Sequence, residues 1–162
     1  MSRGRLVLSG RARAAVATTA LALAACVELP PPEAVPAPDL ATFAADVQPV
    51  LDARCATPSC HGRPERPLTV FSPRRYRRDP ARRFLDEPLA ADELAANAAS
   101  VASFGFTIGS DGLEDSLVLR KPLALAAGGA RHQGGEIFVS RADREYRALY
   151  RWMSALAPPE DQ

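Results

Sequence analysis

The stretch that decides the fold is FAADVQPVLDARCATPSCH, residues 43–61. Its first part repeats apolar residues at helical spacing, and Pro49 is acceptable in the first turn of such a helix. Its second part carries Cys55 and Cys60, separated by four residues, with His61 directly after them. The stretch therefore predicts a helix that leads straight into two thiols and an imidazole.

Three chemistries fit a segment of the form C-x4-C-H. Covalent haem attachment needs two thiols in reach of two vinyl groups and an imidazole beside the second thiol, although the usual signature is C-x-x-C-H. The longer loop can bulge between the thiols, and Pro58 helps it to turn. A Cys55–Cys60 disulfide is the second option. A Cys2His2 zinc site that adds His132, the only other histidine, is the third.

The third cysteine, Cys26, ends a leader. Four arginines precede a short apolar run over residues 14–25, which is too short to span a bilayer as a permanent helix. Residues 23–26, Leu-Ala-Ala-Cys, resemble the lipobox of bacterial lipoproteins. The resemblance implies a signal peptide over 1–25, lipidation of Cys26 and attachment to the bacterial cell envelope, facing the periplasm. Val27 favours the outer membrane, because the inner-membrane retention signal is an Asp. An ordinary secretory leader is the alternative.

The mature chain has a modest negative charge. Removal of the leader leaves 16 basic and 19 acidic residues, a net charge of −3. A general affinity for nucleic acid is therefore not expected. Residues 26–39 contain five prolines and are predicted to form an extended tether. The folded domain is expected over 40–158, followed by a tail over 159–162.

The residues around the cysteines resemble a known family. FAADVQPVLDARCATPSCHG, residues 43–62, is similar to the start of the planctomycete and myxobacterial cytochrome c-like domains, in which F-x-x-x-V-x-P-I-L-x-x-x-C…C-H-G recurs. SLVLRKPL at 116–123, HQGGEIF at 132–138 and EYRALYRWM at 145–153 resemble the latter half of the same domain. The resemblance covers about 40–157, and a C-x4-C-H variant is known among multihaem cytochromes and small bacterial haem domains.

The resemblance implies an all-α, cytochrome c-like fold, with an N-terminal helix leading into the haem motif and a C-terminal helix packed against it. Cys55 and Cys60 would hold one covalent haem c, and His61 would be the proximal iron ligand. The implied function is one-electron transfer with an unidentified redox protein partner and no small-molecule substrate. An enzyme is not expected, because the sequence has no nucleophile–base pairing and no second haem motif. The alternative is a haem-free surface lipoprotein, a binding or structural module closed by the disulfide or by zinc.

The distal iron ligand has two candidates in the mature chain. His132 lies in the glycine-rich segment GGARHQGG, residues 128–135, where small cytochromes c commonly deliver their distal residue. The glycines would let the backbone pass close to the haem face. Met153 lies on an apolar helical stripe, where a methionine usually packs in the core. We expect His132 to be the ligand, with Met153 or an open position as the alternatives. A bis-His iron would have a lower potential than a His/Met iron.

The pattern predicts three more helices. One covers about 92–103, with Leu94, Ala98 and Val101 on one face, and a short one covers 116–121. The last follows a capping box, Ser140-Arg-Ala-Asp143, and should run to about residue 156. No long strand pattern is present.

The segment 63–83 is rich in arginine. It holds eight arginines against Glu65 and Asp79. One or two of them would bind haem propionates, or the strip would steer an acidic redox partner. A solvated loop whose charges offset acids elsewhere is the third interpretation.

Overall fold

The part of the chain that the structure describes contains four helices joined by long loops and turns. This computed structural model describes residues 38–105 and 112–156. The helices are α1 over 40–55, α2 over Ala91–Gly105, α3 over Leu117–Arg120 and α4 over Arg144–Ser154. Three 3₁₀ turns connect them, at Pro80–Arg82, Leu113–Asp115 and Leu125–Ala127. Those described residues contain no strand, only an isolated bridge between Leu123 and Phe138. The all-α expectation is confirmed over them.

Several sequence predictions lie outside the described residues. They are the signal peptide, nearly all of the tether and the C-terminal tail. Within the described ranges, no helix is both long and apolar enough to cross a bilayer.

Helix α1 begins earlier than expected, so the prediction that Pro49 lies in its first turn is wrong. Asp39 caps the helix by accepting from the backbone N–H groups of Ala41 and Thr42, at 3.0 and 3.4 Å. The helix alternates α-helical Leu40–Thr42 and Gln48–Val50 with π-helical Phe43–Val47 and Leu51–Cys55. A proline inside a helix lacks an N–H and clashes with the carbonyl four residues back. The wider π turn before Pro49 accommodates that clash.

Helix α4 packs on α1, as expected. The Phe43 and Trp152 rings lie 4.9 Å apart at 58°, and both side chains are buried. The Trp152 indole N–H donates to the backbone oxygen of Asp39 at 3.2 Å. The other buried residues of α4 and just beyond it are Tyr146, Ala148, Leu149, Met153 and Leu156. These contacts tie the two ends of the described chain together.

The Ser140–Asp143 box does not start the helix as predicted, because α4 begins only at Arg144. Its hydrogen bonds form in the turn before the helix, where the N–H of Ala142 donates to Ser140 Oγ at 3.2 Å. Asp143 is the N-cap residue, and its Oδ2 accepts from the backbone N–H groups of Val139 at 2.7 Å and Ser140 at 3.2 Å. The carboxylate therefore closes the turn that precedes the helix. The helix ends at Ser154, two residues before the expected end.

Helix α2 matches the prediction for 92–103, and its Ala98 and Val101 are fully buried. Gly105 at its end allows the close approach of α4, because a Cβ there would lie 2.4 Å from the Met153 Cε atom. Met153 is fully buried at this contact. The methionine is thus part of the core.

A buried ion pair fixes the arginine-rich segment to α2. Arg77 and Glu93 are 0% and 2% exposed, and Arg77 Nη2 lies 2.8 Å from Glu93 Oε2. Glu93 also accepts from the backbone N–H groups of Arg78 at 2.7 Å and Ala90 at 3.0 Å. Burial by itself would raise the pKa of Glu93, but these hydrogen bonds and the Arg77 charge lower the pKa to about 2. One arginine of the strip is therefore a core residue.

Replacing Glu93 with glutamine should destabilise the fold strongly, because it leaves a buried guanidinium unpaired. We expect Glu93→Gln to lower the free energy of unfolding by about 3 kcal/mol. Asp92→Asn is the matched control, since Asp92 pairs with Arg78 in solvent, and its cost should stay below about 1 kcal/mol. Denaturant titration followed by circular dichroism measures both. Equal effects would contradict a special role for the buried pair.

The same pair predicts a pH dependence. The pKa of Glu93 is depressed in the folded chain, so its stabilisation is complete above its ordinary pKa of 4.5 and is lost as the pH falls towards about 2. The stability of the wild type should therefore fall more steeply than that of Glu93→Gln between these pH values. Parallel profiles would show that Glu93 does not carry the acid sensitivity.

Candidate cofactor site

One cavity brings the predicted site residues together. Cys55, Cys60, His61 and His132 all line a cavity of about 780 Å³, and Met153 does not. Its walls are mostly apolar, with side chains from all four helices, among them Leu51, Val101, Val118 and Leu149. Cofactor pockets have volumes of roughly 300–1,000 Å³, so the space suits a sizeable organic group.

The loop between the two cysteines is a compact turn. The N–H of Cys60 and the N–H of Gly62 both donate to the Thr57 oxygen, at 2.9 and 3.0 Å. The N–H of His61 donates to the Cys55 oxygen at 2.9 Å. The chain thus returns to the end of α1 in spite of the four-residue spacing. A Cβ at Gly62 would lie 2.1 Å from the Ala56 oxygen, so only glycine fits there.

The His61 imidazole is oriented by a backbone carbonyl. Its Nδ1 lies 2.8 Å from the Leu68 oxygen. Because a carbonyl only accepts, Nδ1 carries the proton and Nε2 keeps a lone pair for a metal. Burial first, and then the nearby charges of His132, Arg66 and Lys121, lower the pKa of His61. The ring is therefore neutral at neutral pH, as a metal ligand must be.

His132 has the same arrangement. Its Nδ1 lies 3.3 Å from the Gly135 oxygen, which again leaves Nε2 free to bind. The His61 and His132 ring centroids are 6.1 Å apart, and the two planes are within 16° of parallel. Two imidazoles on opposite sides of one metal ion have centroids about 6.3 Å apart, since each metal–nitrogen bond is roughly 2.0 Å. The observed separation of 6.1 Å is close to this value.

The glycines around His132 serve the loop itself. Gly128 and Gly135 have left-handed φ angles of 91° and 81°, which other residues rarely adopt. A Cβ at Gly129 would lie 1.8 Å from the Leu123 oxygen. The loop can therefore turn and approach the backbone closely, and it carries His132 to the cavity.

The two thiols are free in this structure. Burial, followed by the charges of Cys60 and Glu145, raises the pKa of Cys55 to about 12. Within 38–105 and 112–156, no group of three or more His, Cys, Asp or Glu side chains could hold a metal ion. The cysteines and histidines thus share a cavity without forming a four-ligand cluster around one point.

The arginine-rich segment contributes one arginine to the cavity, Arg66. Its guanidinium donates to the backbone oxygens of Cys60 at 2.9 Å and Ser59 at 3.0 Å, so it supports the cysteine loop. Exposed ion pairs occupy other members of the segment, namely Arg74–Asp86, Arg78–Asp92 and Arg82–Glu87. For these arginines the third interpretation, a loop whose charges offset acids, describes the structure.

Sequence reasoning missed three contributors, and each depends on tertiary contact. Leu68 orients His61 through its backbone oxygen, which has no sequence signal. Lys121 and Arg131 line the cavity from outside the arginine-rich segment. Lys121 lies inside the segment 116–123 and Arg131 directly precedes the segment 132–138, and both segments carry the family resemblance.

Comparison with protein-family models, curated proteins and solved structures found no match for this chain. The interpretation of the site therefore rests on its donor set. The two thiols suit a cofactor with reactive vinyl groups, and the two imidazoles with free Nε2 atoms suit its metal ion. The apolar walls suit a flat organic ring, and the cations suit acidic groups on that ring. Haem has this chemistry.

The raised pKa of Cys55 predicts unequal thiol reactivity in chain made without haem. Because the thiolate is the nucleophile, iodoacetamide at pH 8 should alkylate Cys55 roughly tenfold more slowly than Cys60, or slower still. The Cys55 rate should keep rising as the pH approaches 12. Mass spectrometry of a chain that starts after Cys26 measures both rates, with Cys55→Ser and Cys60→Ser as controls. Equal rates at pH 8 would contradict the burial of Cys55.

Proposed function

We propose that this chain is a lipid-anchored, mono-haem c-type cytochrome that carries out one-electron transfer at the periplasmic face of a bacterial envelope membrane. The proposal includes a cytochrome c-like fold and lipidation of Cys26, with the outer membrane favoured. It names a redox protein as partner and no substrate-converting reaction. The leader, the cysteine motif and the geometry of the cavity support it together.

The parallel pair of imidazoles carries the proposal. His61 and His132 come from distant parts of the chain, yet their rings lie 6.1 Å apart within 16° of parallel. Both donate Nδ1–H to a backbone oxygen, at 2.8 and 3.3 Å. Two imidazoles oriented in this way would be the two axial ligands of one iron ion.

The other residues supply attachment and surroundings. Cys55 and Cys60 would form thioether bonds to the vinyl groups, and His61 would be held beside Cys60 by the turn that ends at Gly62. Haem supplies a reversible one-electron change at its iron when it is bound. The apolar walls would exclude water from the iron. If His61 and His132 both held the iron, no position would remain for a substrate, which would favour electron transfer, and the potential would be lower than with a His/Met pair.

Covalent attachment is the first test. The full chain should stain for haem on a denaturing gel after expression with a cytochrome c maturation system. The variant Cys55→Ala/Cys60→Ala should lose the stain, because no thiol remains to hold the group. An unstained wild-type chain with a Cys55–Cys60 disulfide, or with one bound zinc ion, would overturn the proposal in favour of a haem-free lipoprotein.

The distal ligand is tested by the visible spectrum of the attached haem. We expect His132→Ala to convert a low-spin spectrum to a high-spin one, because it removes one axial ligand. His132→Met should raise the midpoint potential if the thioether binds. Met153→Leu is the control and should leave the spectrum unchanged, since Met153 packs against Gly105 outside the cavity wall. A spectrum that responds to Met153 and not to His132 would reverse the assignment.

A further inference from the structure

The charges on the cavity wall are all of one sign. Four cationic side chains line it, Arg54, Arg66, Lys121 and Arg131, and none of the lining residues in the described part of the chain is Asp or Glu. Without residues 1–25, which the proposed function removes, the chain has 16 basic and 19 acidic residues. The cavity is therefore a local exception to the charge of the protein, and its charge suits an anionic occupant.

Two of the four cations already have partners. Arg54 Nε lies 2.8 Å from Glu145 Oε2, so that pair joins α1 to α4. Arg66 uses its guanidinium on the carbonyls of Ser59 and Cys60. Both side chains thus serve the protein itself, and their remaining capacity for an anion is reduced.

Lys121 and Arg131 differ from these two. Both side chains are exposed, and within residues 38–105 and 112–156 neither has a hydrogen-bond or ion-pair partner. Their backbones are neighbours, because the N–H of Ala130 donates to the Arg120 oxygen at 2.8 Å. Two cations without partners therefore enter one cavity from adjoining segments.

These cations also flank the imidazole pair. Lys121 and Arg131 line the same cavity as His61 and His132. Arg131 directly precedes His132. A group that fills the cavity between the two rings would lie against both cations.

We propose that Lys121 and Arg131 bind the two carboxylates of the haem that the proposed function places in this cavity. Arg131 would bind one carboxylate through forked hydrogen bonds, and Lys121 would act as a point charge on the other. The inference rests on the proposed function. It moves the propionate contacts from the arginine-rich segment to the segments around α3 and His132.

The test uses the matured holoprotein, carrying covalent haem. Lys121→Gln/Arg131→Gln should lower the midpoint potential, because an unpaired propionate stabilises the oxidised iron. It should also raise the pKa of the propionates, because no cation then stabilises their charged form. The pH at which the potential begins to change reports this pKa. Lys121→Arg/Arg131→Lys should restore both values. Arg147→Gln is the control, since Arg147 is exposed on α4 and does not line the cavity.

A second measurement tests the same assignment if the double variant acquires haem poorly during maturation. The haem-free chain is titrated with haemin and with haemin dimethyl ester. Lys121→Gln/Arg131→Gln should weaken haemin binding roughly tenfold or more and leave ester binding unchanged. Equal weakening of both, or of neither, would overturn the assignment.

The remaining outcomes are distinguishable. The double variant would overturn the assignment if its potential is unchanged but its rate of reaction with ferricyanide no longer depends on ionic strength. That result would favour docking of an anionic partner at these cations. A wild-type chain that neither acquires covalent haem nor binds haemin would instead reject the proposed function. A wild type that carries haem while the double variant keeps its potential would reject this inference alone.

Discussion

The hydrogen bond from the backbone N–H of His61 to the Cys55 oxygen is the contact on which the site depends. It joins the backbone of His61 to the last residue of α1 across the cysteine loop. Helix α4 holds α1 in place through the contact of Phe43 with Trp152. The position of His61 therefore depends on how these two helices pack. The Leu68 oxygen then sets the rotation of the ring. Together, these two hydrogen bonds fix the position and the rotation of the His61 ring.

Much of the fold was readable from the sequence because the apolar period of a helix is local. Ala98 and Val101, and the stripe of α4, lie where the pattern predicts them. The details that failed depend on tertiary geometry. Pro49 was placed in a first turn because nothing in the sequence shows that Asp39 caps the helix much earlier. The sequence pattern predicts that Asp143 bonds back to an N-cap at Ser140. Tertiary packing instead makes Asp143 itself the N-cap residue.

In the candidate site too, some residues could be predicted from the sequence and others depend on tertiary contacts. Cys55, Cys60, His61 and His132 were named from residue type and spacing, since few side chains have their chemistry. The cations were harder, because an arginine has the same sequence signal in the core, in a surface pair or in a cavity. Arg77 is buried because Glu93, sixteen residues away, meets it, and Arg66 serves carbonyls. Lys121 and Arg131 belong to the cavity only through the contact between their segments.

Asp39 has a mechanical consequence. It caps α1 with its side chain and accepts the Trp152 indole with its backbone oxygen, at 3.2 Å. If the chain is tethered at Cys26, a pull from the membrane reaches the domain first at this residue. The load would then act first on the contacts of Asp39 with the start of α1 and with Trp152 of α4. The attachment point is reinforced where a tethered domain would bear tension.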